Sequence, residues 1–161
     1  DVSENMLKTA KRRGPVIQAD ITNLPVKAGS IGTVLCMFST LNLVDAENAC
    51  KEIHRVLKEN GAAIISVSSI FDQAKGRGGR VKKFRIEGRR IELRLFDKAE
   101  LLGIFGKNRL KADWFDSVFR SVNARWGNFK GLSMKEIENI RKGEDGQDET
   151  GRIFLSVFRK I

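Results

Sequence analysis

Cysteine is scarce in this chain, with two residues, Cys36 and Cys50, among 161. Both sit inside apolar segments and without CxxC spacing, which excludes a disulfide scaffold and leaves no metal site to expect. Long apolar runs are also missing. No stretch approaches the roughly 20 residues of a membrane-spanning helix, and the longest, such as Thr33 to Phe38, are strand-sized. The first residues show no basic head, apolar middle and small-residue cleavage site of a secretion signal. Hydrophobic residues make up 41% of the chain and are spread along it, which argues against a disordered polymer. The length suits one domain with its own core. A cytoplasmic protein without a membrane partner is the expectation.

Charge is abundant and unbalanced, with 30 Lys+Arg against 20 Asp+Glu, a net +10. Residues 75–94 hold nine basic residues against Glu87 and Glu92, so this stretch supplies +7 of the excess. Its start, 75–80, has nothing apolar to bury and reads as a mobile loop. The rest alternates: Phe84 and Ile86 share one face, Glu87-Gly88 offers a turn, and Ile91, Leu93 and Leu95 share a face. That is the pattern of a β-hairpin with basic residues toward solvent. Lys82, Lys83, Arg85, Arg89 and Arg90 are candidate contacts for a polyanion such as a phosphate backbone. The plainer reading is a solubilising hairpin, since no aromatics interleave for base stacking. The acidic stretch 143–151 lacks the regular oxygen ligands of a calcium loop and reads as a solvated loop.

Along the chain, Ser3 to Arg13 predicts a helix capped by Ser3, with Met6, Leu7 and Ala10 as its apolar stripe and Gly14-Pro15 as its stop. Val16 to Ala19 predicts a short strand, and Asp20 to Gly29 a loop. Thr33 to Phe38 is apolar on both faces, as in a buried parallel strand. Asp45 to Glu59 predicts a helix with Ala46, Ala49, Cys50, Ile53, Val56 and Leu57 at helical spacing, closed by Asn60-Gly61 in left-handed geometry. Ala62 to Val67 is a further buried strand. Asp97 with Glu100, and Ser133 with Glu136, form capping-box patterns before helices. Leu110 to Phe115 and Arg152 to Ile161 read as strands. The alternation implies an α/β fold with a mainly parallel sheet.

The order of acidic residue, helix, strand, Ala-Asp loop, strand, helix, Gly turn and strand resembles class I S-adenosylmethionine-dependent methyltransferases of the methyltransferase domain 11/25 type. The segments that carry it are Asp1-Val-Ser-Glu-Asn-Met-Leu7, Gln18-Ala-Asp-Ile-Thr-Asn-Leu-Pro25, and Lys51-Glu-Ile-His-Arg-Val-Leu-Lys58 followed by Glu59-Asn60-Gly61. The resemblance implies a Rossmann-like sheet, mainly parallel with an antiparallel C-terminal strand. It divides one domain, residues 1–161, into a cofactor half (1–70), a basic loop and hairpin (71–96) and a variable half (97–161). The implied cofactor is S-adenosylmethionine, with S-adenosylhomocysteine as product. By resemblance, Asp1 would accept the ribose hydroxyls and Met6 would lie against adenine. Asp20 would accept from the adenine amino group, the Ile21 N–H would donate to a ring nitrogen, and Met37 and Phe38 would lie nearest the methionine end. Asn42 stands where many relatives carry His and would either orient a substrate or, as loop asparagines often do, bond backbone, and His54 lies in a packing segment. No catalytic base is nominated, because methyl transfer can proceed by alignment of nucleophile and methyl.

The family's Gly-rich loop lies about twenty positions before the first acidic residue. Because this chain opens at that residue, with Asp1 in place of Met, N-terminal truncation is expected, with N-terminal strands missing. Ala28 and Gly32 also stand where relatives usually have acids. The expected function is S-adenosylmethionine-dependent methyl transfer to an acceptor left open between a small molecule and RNA. The opening segments resemble the branch that modifies wobble uridines in tRNA, and the basic stretch 75–94 suits an RNA partner. The alternative is a non-catalytic remnant of the fold acting as a basic nucleic-acid or protein-binding module. A nicotinamide-dependent oxidoreductase fits less well, since Asp20-Ile21 and the segment from Glu52 to Gly61 follow the methyltransferase arrangement.

Overall fold

The computed structural model describes residues 1–72, 79–86, 88–118 and 153–161. Residues 75–78 of the expected basic loop 75–80, the helix after Ser133 and the acidic loop 143–151 lie outside the described residues.

Helix α1 (Glu4–Ala10) starts where Ser3 Oγ accepts the Met6 N–H, and it buries none of its side chains. The Met6, Leu7 and Ala10 stripe is therefore no core face among the described residues. Residues 16–19 form no strand of the sheet. They run beside residues 1–2, with the Ala19 N–H donating to the Asp1 carbonyl (3.1 Å) and Gln18 Nε2 to the Val2 carbonyl (3.1 Å). The Asp1 amino group also donates to the Ile17 carbonyl (3.3 Å), and these two backbone bonds, both at Asp1, are too short a run for a ladder.

Strand β1 (Ile31–Cys36) leads through a 3-10 turn (Thr40–Asn42) to helix α2 (Ala46–Val56) and strand β2 (Leu57–Ser68). Asp45 caps α2, accepting the N–H groups of Glu47 and Asn48. The helix stops at Val56, three residues before the expected Glu59, because Leu57 is already extended. Asn60 does take the left-handed conformation (φ 59°), but inside β2. It sits where Ile31 faces Leu57 and Thr33 faces Ala62, so residues 58–61 bulge out of register. Gly61 is needed there: a Cβ would stand 2.8 Å from the Lys58 carbonyl oxygen and 3.1 Å from that of Gly32.

The hairpin is as the alternation predicts, with β3 (Val81–Ile86) and β4 (Arg89–Arg94) antiparallel and Gly88 at φ 80° in its turn. Helix α3 (Lys98–Lys107) begins at Asp97, whose carboxylate accepts the Glu100 N–H. Strands β5 (Leu110–Val118) and β6 (Ile153–Lys160) complete a four-stranded sheet ordered β1-β2-β6-β5.

The antiparallel C-terminal strand is observed, but the sheet is mixed rather than mainly parallel. Strand β6 inserts between β2 and β5 and runs against both, so among the described strands only β1–β2 pairs in parallel. Strand β1 also departs from expectation. It is the edge of the sheet among the described residues, and Leu35 is 67% exposed instead of buried on the second face. The core forms where α2 and α3 cover one sheet face. Ala63, Ile65 and Val67 of β2 and Phe154 and Phe158 of β6 meet Ile53, Leu101 and Phe105 there. The Phe105 and Phe158 rings stack with centroids 3.8 Å apart.

Candidate cofactor-binding site

A cleft of about 780 Å³ opens at the carboxyl end of β1, where open α/β sheets place ligands. Its walls include Asp1, Asp20, Ile21, Met37, Phe38 and Leu43. Five of the six residues singled out from sequence thus share one cavity. Met6 does not line it; it points outward from α1 with 62% exposure.

The two carboxylates are set by local turns. Asp1 Oδ1 accepts the Ser3 N–H at 2.8 Å, which fixes the entry to α1. Asp20 Oδ1 accepts both the Thr22 N–H and the Thr22 hydroxyl, each at 2.8 Å. Those bonds, the backbone one first, hold the Asp20 carboxyl below its ordinary range and keep it an anionic acceptor. The loop carrying Asp20 is clamped to α2 by an ion pair. Glu52 Oε2 accepts the Leu24 N–H (2.8 Å), while Arg55 donates to the carbonyls of Leu24 and Val26 (2.8 Å each). Arg55 also bonds Glu52 directly at 2.7 Å, and this bond is the main cause holding the Glu52 carboxyl below its usual range.

The far wall is a tight turn. Phe38 and Ser39 follow β1 with φ 59° and 64°, a region that side-chain-bearing residues rarely enter. A polar network holds them there. Ser66 Oγ accepts the Phe38 N–H (2.8 Å), and the Ser39 and Ser68 hydroxyls are 2.9 Å apart. Buried Asn42 accepts the Ser68 N–H (3.0 Å) and donates to the carbonyls of Ser68 (2.9 Å) and Arg94. It thus serves the backbone around the turn. Phe38 itself projects outward, 81% exposed.

Burial pushes the Cys36 thiol in the cleft wall up to about 11, so it is a protonated, apolar lining group near neutral pH. His54 lies outside the cleft lining, on α2. Desolvation, then Lys160 and Arg109, lower its pKa, which keeps the imidazole neutral.

The basic hairpin residues divide between its faces. Lys82 lies on the inner, half-buried face, with Nζ 2.8 Å from Asp72 Oδ2. Lys83, Arg85 and Arg90 lie on the exposed face, and Arg89 is exposed beside the turn. Sequence reasoning missed the Glu52–Arg55 clamp and the Ser66 and Ser68 hydroxyls, while Asn42 follows the backbone-bonding one of its two readings. A Glu-x-x-Arg spacing on a helix and serines ending an apolar strand were the available signals.

The sheet's carboxyl edge opens on a cleft with two carboxylates and apolar walls, in an α/β fold of the kind that places ligands at that edge. Comparison with known proteins narrows the class. The family described as a methyltransferase domain matches residues 1–65. An uncharacterised protein of Methanocaldococcus jannaschii is 26% identical over 172 aligned positions, covering 86% of this chain and 68% of that protein. A demethylmenaquinone methyltransferase of Chlamydia caviae is 40% identical over 78 positions, covering 45% of this chain and 34% of that enzyme. Among solved structures, an S-adenosylmethionine-dependent methyltransferase of Clostridium acetobutylicum superposes with TM-score 0.67 at 12% identity, covering 99% of this chain and 73% of that one. The CcbJ methyltransferase of Streptomyces caelestis gives 0.68 at 14%, covering 100% and 78%. Residues 1–65 match the methyltransferase domain family, and the chain shares its fold with solved S-adenosylmethionine-dependent methyltransferases. It spans about a third of the length of the Chlamydia caviae enzyme. No described helix is long and apolar enough to cross a membrane.

Proposed function

We propose that this chain binds S-adenosylmethionine in the cleft at the end of β1 and serves methyl transfer to an acceptor entering beside Met37 and Phe38. The observation that carries the reading is the gathering of Asp1, Asp20, Ile21, Met37 and Phe38 around one cavity. The donor set suits the cofactor's chemistry. Both bonds from Thr22 fall on Asp20 Oδ1, which leaves Oδ2 to accept from an adenine amino group. Asp1 offers acceptors for ribose hydroxyls, and Ile21, Val34 and Leu43 give the apolar contact a purine needs. When bound, S-adenosylmethionine supplies an electrophilic methyl group. The chain's own work is to hold the cofactor and to align the acceptor against it, which suffices for transfer to a competent nucleophile. The 780 Å³ of the cleft falls in the range of small-ligand pockets.

Calorimetric titration of S-adenosylhomocysteine into the 161-residue chain tests the reading. Saturable one-to-one binding is expected, weakened about 5- to 100-fold by Asp20→Ala through the lost hydrogen bond. Absence of binding to the folded chain rejects the assignment and leaves a basic binding module. Undiminished binding by Asp20→Ala rejects this role for Asp20.

A further inference from the structure

The basic residues of the β3–β4 hairpin fall into two groups with different fates. Those at its base are committed to the fold. Arg80 bonds Asp97 (2.8 Å) and Glu100 (2.6 Å), Arg94 bonds Glu100 (2.5 Å), and Lys82 bonds Asp72 (2.8 Å). Those near the tip are not. Arg85 and Arg90 are direct cross-strand partners, so their side chains leave the same face side by side. Lys83 and Arg90 reach one carboxylate, that of Glu92, at 3.2 and 3.3 Å. Arg85 makes no ion pair among the described residues. A like-charge cross-strand pair destabilises a hairpin, and an Ile or Thr would suit an exposed strand position better. Every described side chain on this face is exposed.

We propose that this face binds the phosphate backbone of a single-stranded nucleic acid, and that the strand is the acceptor. The second half rests on the methyl-transfer reading above. Lys83 and Arg85 stand two residues apart on one strand, about 6.8 Å along it, with Arg90 beside Arg85, a spacing that can engage successive phosphates. The hairpin base is tied to the cleft turn, since Asn42, three residues past Ser39, bonds both Ser68 and the Arg94 carbonyl. At that turn the ring of Phe38 is open to solvent on the cleft wall. An exposed ring of this kind stacks an unpaired base, which a duplex does not offer. Backbone contacts alone do not separate RNA from DNA, so both strands serve as probes.

The test is fluorescence anisotropy with a 12-nucleotide RNA, the DNA of the same sequence and its duplex, across a salt series. The wild-type chain is expected to prefer the single strands. The double variant Arg85→Ala/Arg90→Ala should lose about 25-fold in affinity at 0.1 M salt, with a salt slope shallower by about 1.4, from two phosphate contacts on a single strand. The control Lys58→Ala/Lys111→Ala removes two exposed cations from β2 and β5 and should change little. Equal loss in both double variants makes the effect one of net charge and overturns the proposal. Unchanged affinity in the arginine variant, preference for the duplex, or equal binding of polyglutamate overturns it too. Titration of S-adenosylhomocysteine on the same samples separates the two readings. Arginine-dependent strand binding without cofactor binding keeps the phosphate face and removes the acceptor role, whereas cofactor binding without strand binding removes the face alone.

Discussion

Replacing Asn42 should damage the fold more than its loop position suggests. The side chain is 2% exposed and satisfies three backbone groups: the Ser68 N–H, the Ser68 carbonyl and the Arg94 carbonyl. In Asn42→Ala the Ser68 carbonyl keeps the Phe96 N–H at 3.3 Å. The Ser68 N–H and the Arg94 carbonyl lose these partners. One buried donor and one part-buried acceptor left unpaired cost about 2–4 kcal/mol together, a large share of the 5–15 kcal/mol typical of a domain. Urea unfolding followed by circular dichroism, compared at a common slope, measures the difference. Asn42→Asp adds a sign that packing loss alone would not produce. A carboxylate there has no proton for either carbonyl, so its folded-state pKa is raised above the unfolded value of about 3.9. The variant is then least destabilised at acid pH, where the protonated carboxyl donates to one carbonyl, and loses stability as pH rises through that raised pKa. A loss below about 1 kcal/mol for Asn42→Ala, or an Asn42→Asp deficit equal at pH 4 and pH 8, refutes the role given to the amide.

Two further substitutions probe the elements that position the cleft. Gly61→Ala places a Cβ against two backbone oxygens, at 2.8 and 3.1 Å, and should destabilise the chain by about 1–3 kcal/mol; a neutral effect in urea unfolding would mean that the β2 bulge yields easily. Glu52 has a depressed folded-state pKa, chiefly from its bond to Arg55. Its contribution is therefore present above the ordinary carboxylate range and lost as pH falls through the depressed value. Glu52→Gln should lower stability at pH 7 and flatten the acid limb of the stability–pH curve, and an unchanged acid limb would place the clamp's strength elsewhere.

What was legible in the sequence was local. Asp45 and Asp97 announce α2 and α3 because a capping side chain and the N–H it serves lie within three residues of each other. Alternation and Gly88 announce the hairpin for the same reason. The place of β6 was not legible, because its partners β2 and β5 are chosen by burial of Phe154 and Phe158 against α3, a contact with no sequence-local trace. The apolar run of β1 misled about its second face, since Leu35 reads the same whether a strand lies at an edge or inside a sheet. In the site, Asp20 was legible only through the family resemblance of its segment, whereas the Glu52–Arg55 clamp looks like any solvated helical pair until the Leu24–Val26 backbone is seen beneath it.

The missed polar network bears most directly on function. Asn42 belongs to the turn behind Phe38, Ser68 to the end of β2 and Arg94 to the hairpin, and the three are joined at one buried amide. The cleft wall and the root of the basic hairpin are therefore one hydrogen-bonded unit, not two independently placed features. Buried polar groups that satisfy one another hold a single arrangement firmly. On the two proposals above, a ligand that fixes the Phe38–Ser39 turn also fixes the base from which the charged face projects, so S-adenosylhomocysteine and a single strand should each raise the affinity for the other. By linkage the two enhancements must be equal, and a strand affinity unchanged by saturating S-adenosylhomocysteine would show that the turn does not couple the two.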